Sequence, residues 1–126
     1  MKIHIEIDDD LISSYIVCFI SSYINNEYSW ISHVEFPESR INGRVSLYCD
    51  VTDVNWKLTI KTIDNDNITI DYNNLKNAII LIYHAERSAF FDIVKDRKED
   101  KWHFSSTIAS YIIQYACFNE LKYSVY

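Results

Sequence analysis

His84 and Glu86 stand in the order H-x-E, the arrangement in which zinc-dependent deaminases place a metal ligand beside a proton-shuttling carboxylate. That chemistry also needs a P-C-x-x-C partner, and Cys18, Cys49 and Cys117 show no such spacing, so the triplet reads as a chance pairing on a helix. His4, His33, His84 and His103 are dispersed singly; without H-E-x-x-H or paired Cys and His spacing, no metal site is assigned. There is no G-x-S-x-G elbow, and no cysteine lies among basic residues that would lower its thiol pKa. The one glycine, Gly43, excludes the glycine-rich cradles of dinucleotide and P-loop folds. Eighteen acidic residues make some carboxylate pair inevitable, so proximity alone assigns no acid and base roles. The expectation is a non-catalytic chain with no catalytic residue, cofactor or metal.

Binding has more support. Nineteen aromatic residues include Tyr28, Trp30, Trp56, Trp102, Tyr111, Tyr115 and Phe118, and Tyr and Trp suit interfaces because they bury area while keeping a polar atom. Trp30 and Trp56 fall on apolar strand faces, which favours core packing for both. Tyr111 and Tyr115 are evenly divided between core and interface. Gln114, between two helix stripes, either caps a backbone edge or reads a partner. Arg40, Arg44, Arg87 and Arg97 are the guanidinium groups able to clamp a phosphate, although surface ion pairs are the commoner use.

The formal charge of −6 disfavours direct nucleic-acid binding, which requires clustered Lys and Arg. The run Lys95 to Lys101 alternates sign and reads as a solvated helix end or loop. An acidic surface instead suits a basic partner. Three cysteines argue against a disulfide framework and for reduced thiols in apolar contexts. The apolar stretch from Leu11 to Ile20 follows aspartates and contains serines, unlike a signal peptide, and is too short to cross a bilayer. A cytoplasmic protein without a membrane partner is expected.

A chain of 126 residues is expected to form a single α+β domain over 1–126. Ile3, Ile5 and Ile7 alternate as in a strand. Asp8, Asp9 and Asp10 then cap a helix from about Asp10 to Ile24, with Ile12, Tyr15, Ile16, Phe19 and Tyr23 on one face. Four further strands follow, around Trp30 to Phe36, Val45 to Val51, Trp56 to Lys61 and Ile68 to Tyr72. Asn42 and Gly43 make one turn, and Asp64 to Asn67 another, in the best-defined hairpin. A long helix capped at Asn73 and Asn74 buries Leu75, Ala78, Ile79, Ile82, Ala89, Phe90 and Ile93. The order β-α-β-β-β-β-α-α predicts an antiparallel sheet of about five strands with three helices. The sheet edges invite homodimerisation by strand pairing.

The last helix is the clearest element. Ser105, Ser106 or Thr107 caps it; Ala109, Ile112, Ile113 and Ala116 make an apolar stripe beside the aromatic stripe Tyr111, Tyr115 and Phe118; Asn119 stops it. Together with Gln114, Glu120, Leu121 and Tyr123, this stretch resembles the C-terminal pattern of a family of small bacteriophage and prophage proteins. LKNAIIL from Leu75, the Tyr28, Ser29, Trp30 turn and the opening KIHIEI are similar more weakly. Ser105 and Ser110 stand where the family has acids, and Asn77, Asn119 and Ser124 where it has glycines.

The resemblance implies a small phage protein. Joined with acidic charge and missing catalytic motifs, it gives the leading expectation: inhibition of a bacterial defence system by binding a basic or nucleic-acid-binding defence protein, as an anti-CRISPR inhibitor does. Asp8, Asp9, Asp10, Glu35, Glu38, Asp64, Asp66, Tyr111 and Tyr115 are the candidate partner-binding residues. The alternatives are an oligomeric sponge for a nucleotide immune signal, with Tyr28, Trp30, Arg40 and Arg44 as its candidates, and a structural phage protein.

Overall fold

In the computed structural model, the described residues are 9–36, 38–41, 44–47, 51–99 and 105–123. The elements are α1 (Asp9–Ile24), β1 (Ile31–Glu35), β2 (Glu38–Ile41), β3 (Arg44–Leu47), β4 (Leu58–Thr62), β5 (Asn67–Ile70), α2 (Tyr72–Ala85), α3 (Arg87–Glu99) and α4 (Ser106–Phe118). The α+β class is as expected. The single five-stranded sheet is not: β1, β4 and β5 form an antiparallel sheet in the order β1-β4-β5, while β2 and β3 pair separately as a hairpin. The expected opening strand, Ile3 to Ile7, lies outside the described residues.

Alternation explains the sheet's two faces. Val34, Ile60 and Ile68 form one cross-strand row, and Leu58 pairs with Ile70 in another. Leu58, Ile60, Val34 and Ile70 are buried. The opposite face carries Glu35, Thr59 and Thr69 in register, followed by His33, Lys61 and Asn67. The Thr59 and Thr69 hydroxyls meet at 2.9 Å, a cross-strand pair that suits a solvated face. The helices that touch this sheet lie on its apolar side, where α4 packs against α1 and most extensively against α2. Trp56 and Val51 join the core from a turn region before β4 rather than from strands.

The expected single helix from Asn73 to Ile93 is two helices, giving four among the described residues. A straight helix through Glu99 would extend about 40 Å, beyond the span of so small a core. The chain instead breaks at Glu86 (φ −132°, ψ 68°). Glu86 N–H donates to the Ile82 carbonyl at 2.8 Å and its own carbonyl accepts from Phe90 N–H at 3.0 Å, so this one residue closes α2 and opens α3 with both of its own backbone groups paired. Tyr83 pins the corner, with Arg87 over its ring at 5.2 Å and Phe90 edge-on at 4.9 Å.

Local caps set the other boundaries. Tyr72 is the first residue of α2 rather than the end of a strand, because Asp71 is the cap. Its carboxylate accepts from Asn74 N–H at 3.0 Å, and the Asn74 side chain accepts from Asp71 N–H at 2.9 Å, a reciprocal capping box. Asp71→Ala is expected to lower unfolding free energy by about 1–2 kcal/mol in urea denaturation, the usual cost of losing such a cap. At the end of α1, Asn26 adopts a left-handed conformation (φ 59°). Glu27 N–H reaches back to the Ser22 carbonyl at 2.9 Å and Asn26 N–H to the Tyr23 carbonyl at 3.0 Å, a Schellman closure. Asn65 and Asn119 are likewise left-handed. Asparagine thus serves where a glycine-poor chain needs positive φ.

Candidate functional site

Helix α4 places Gln114 fully inside the protein, with no exposed surface. Its Oε1 accepts from Lys122 N–H at 2.9 Å and Tyr123 N–H at 2.8 Å; its Nε2 donates to the Tyr123 carbonyl and the Ser110 hydroxyl, each at 3.2 Å. One amide therefore holds the backbone of the segment following α4 in the manner of a neighbouring strand. Ser110 Oγ also accepts from the Trp30 indole N–H at 3.3 Å. Trp30, Ser110, Gln114 and Tyr123 form one continuous polar chain, which satisfies groups that would otherwise be costly inside.

This anchoring directs Tyr123 and Lys122. The Tyr123 ring stacks on Trp30 (5.3 Å, 11°). Its hydroxyl donates to Asp64 Oδ2 at 2.6 Å, and Lys122 Nζ reaches Asp66 Oδ2 at 3.0 Å. The Lys122 pair is substantially exposed and contributes little to stability. Its effect is geometric: two carboxylates are fixed at the tip of the β4–β5 hairpin.

The tip is itself rigidly built. Buried Thr62 accepts through Oγ1 from Asp64 N–H at 3.3 Å and Asp66 N–H at 3.2 Å, while its backbone N–H donates to the Asp66 carbonyl at 2.9 Å. Asn65 turns the chain at φ 66°. Between these constraints Ile63 projects with 56% of its surface exposed. The arrangement sets an exposed apolar side chain beside two oriented carboxylates, one of them paired with Lys122.

No protein-family model, curated protein or solved structure matches this chain. The placement of residues is then what bears on function. Asp64 and Asp66 come together at the tip. Asp9 lies elsewhere, at the start of α1, where its carboxylate accepts a hydrogen bond from the Tyr72 hydroxyl; that bond holds the phenol's pKa above its ordinary value. Asp10 is exposed on the same turn, and Glu35 on the solvated sheet face. Tyr111 is half-buried, whereas Tyr115, at 5% exposure, is a core residue and offers a partner almost no surface. Asp8 lies outside the described residues, as do the side chains of Glu38, Arg40 and Arg44. The backbone places Arg40 opposite Val45 and Arg44 opposite Ile41.

The expected stacking rings are enclosed. Tyr28 is buried against Phe19 (5.3 Å) and donates its hydroxyl to the Ser106 carbonyl at 2.7 Å; burial pushes its pKa well above the ordinary range. Trp30 is covered by Tyr123 and meets Phe118 edge-on. Neither ring has a face open to a nucleobase. A cleft of about 360 Å³ is lined by Tyr23, Ile24, Asn26, Tyr28, Ser29, Ile31 and Ser32, with no charged group to hold a phosphate.

Among the described residues, no three His, Cys, Asp or Glu side chains could hold a metal ion together. His84 is exposed near the end of α2 and Glu86 occupies the break after it. Burial pushes the Cys117 thiol pKa up to about 12, which suppresses thiolate chemistry. No described helix is long and apolar enough to cross a membrane. Sequence reasoning missed Lys122, Tyr123 and Ile63 as parts of one surface; the first two gain meaning only from a turn more than fifty residues earlier.

Proposed function

We propose that this chain is a small phage-encoded, non-catalytic protein that inhibits a bacterial defence system by binding a basic defence protein, in the way of an anti-CRISPR inhibitor, in the cytoplasm of the host. The observation that carries the reading is the β4–β5 tip, where exposed Ile63 stands beside the oriented carboxylates of Asp64 and Asp66. Asp64 receives a phenol rather than an ammonium, so its charge is oriented without being cancelled. Preformed geometry lowers the ordering cost of association, and complementary charge accelerates encounter.

The test is affinity capture with tagged protein from a bacterial host, followed by mass spectrometry, comparing wild type with Ile63→Ala/Asp64→Asn. Both positions are exposed, so the variant should retain the wild-type circular dichroism. Stoichiometric capture of a defence protein, weakened about tenfold or more in the variant, is expected for a contact that includes a central anchor. Equal capture by both proteins removes the tip from the interface. Capture of no defence protein removes the inhibitor reading.

A further inference from the structure

Helix α1 buries Leu11, Ile12, Tyr15, Ile16, Phe19 and Ile20, yet its outer side is not the charged surface expected of an amphipathic helix. Residues 11–26 contain no Asp, Glu, Lys, Arg or His. Along the solvent side run Ser14, Val17, Ser21 and Ile24, spaced three, four and three apart, so they form one narrow seam. Val17 is 44% and Ile24 63% exposed. Small and large residues alternate along it. The Ser14 hydroxyl already donates to the Asp10 carbonyl at 2.8 Å, so it can enter a helix interface with that donor satisfied.

We propose that α1 pairs with α1 of a second copy, antiparallel about a twofold axis that passes between Val17 and Ser21. In that register Ile24 of one protomer lies over Ser14 of the other, and Val17 lies over Ser21. Each large side chain meets a small one at all four rungs. A parallel pairing sets Ile24 on Ile24 and Ser14 on Ser14, alternately crowding and leaving voids, both unfavourable in close packing. Twofold symmetry requires such self-complementarity of the patch.

Charge permits this occupant at α1 rather than selecting it. The protein carries −6 overall, so most approaches between two copies oppose carboxylates. The α1 seam lets two copies meet without burying one, since Asp10 and Glu27 flank its two ends and stay at the rim. A basic partner finds no carboxylate along these turns. The surface is distinct from the β4–β5 tip, so either assignment stands without the other.

The experiment is sedimentation equilibrium over a concentration series, from micromolar to near-millimolar, on the wild type, Ile24→Lys, Ser14→Glu and an equimolar mixture of these two variants. Both substitutions lie on the solvent side, and unchanged circular dichroism verifies folding. The wild type is expected to dimerise, and each variant alone to weaken association about a hundredfold by placing a charge in a dry contact. The mixture should recover dimers, because the antiparallel register brings the introduced ammonium of one variant opposite the introduced carboxylate of the other. A wild type that remains monomeric throughout overturns the proposal. So does a dimer that neither variant weakens, or a mixture that gains nothing over its components.

Discussion

Gln114→Leu is expected to detach the segment after α4 while leaving the helices folded. The substitution approximates the side chain's volume but removes every hydrogen bond it makes to Lys122, Tyr123 and Ser110. Two backbone N–H groups and a carbonyl then either remain unsatisfied beneath the tail or regain water by leaving it. Either route costs about 2–4 kcal/mol, since a buried unpaired group costs roughly 1–3 kcal/mol and relief sacrifices the Tyr123 packing. Urea denaturation measures the loss. Hydrogen exchange at residues 122 and 123 distinguishes the route, with protection of both amides expected to disappear. Wild-type stability with both amides still protected would show that the tail is held by its rings alone.

Trp30→Ala is expected to be more damaging, at about 3–5 kcal/mol, the range for emptying a buried aromatic site. Trp30 is 2% exposed and touches α4 through Ser110 and Phe118 and the segment after it through Tyr123. Against a typical domain stability of about 5–15 kcal/mol, that loss brings the variant close to unfolding. Trp30→Phe should cost less, because it preserves much of the volume and loses the indole donor. Chemical denaturation followed by far-ultraviolet circular dichroism gives both values. An alanine variant as stable as wild type would mean that the indole is a surface ring, reviving the nucleotide-stacking role that its burial now argues against.

Much of the fold is legible because local chemistry and burial agree. Helix α4 begins at Ser105, whose hydroxyl accepts from Ile108 N–H, and ends at left-handed Asn119, both within the boundaries that caps dictate. The β4–β5 hairpin follows its alternation and its acidic turn. The break at Glu86 was hidden because Ile82, Ala89, Phe90 and Ile93 keep helical spacing across it and no Gly or Pro marks the site. Tyr72 misled in the opposite sense: alternation with Ile68 and Ile70 extended the strand, while the reciprocal bonds of Asp71 and Asn74 start the helix at Tyr72 itself.

The candidate site was less legible, for a physical reason. Asp64 and Asp66 were visible as turn acids, but their orientation derives from Tyr123 and Lys122. Those two are delivered by a glutamine whose roles, holding backbone or reading a partner, were both consistent with its position between stripes. Tyr115 shows the limit of periodicity: the aromatic stripe is real, yet the helix is covered on that side as well. Exposure is a property of the assembled layers rather than of one helix.

The ties of Tyr28 to Ser106 and of Trp30 to Ser110 join residues 78 and 80 positions apart. During synthesis, α1 and β1 therefore leave the ribosome long before the helix that completes their surroundings. Hairpin β4–β5 can pair at once, but the apolar side of its sheet and the indole of Trp30 must wait for residues 105–123. The interval exposes the nascent chain to aggregation and makes the last helix the step that closes the core.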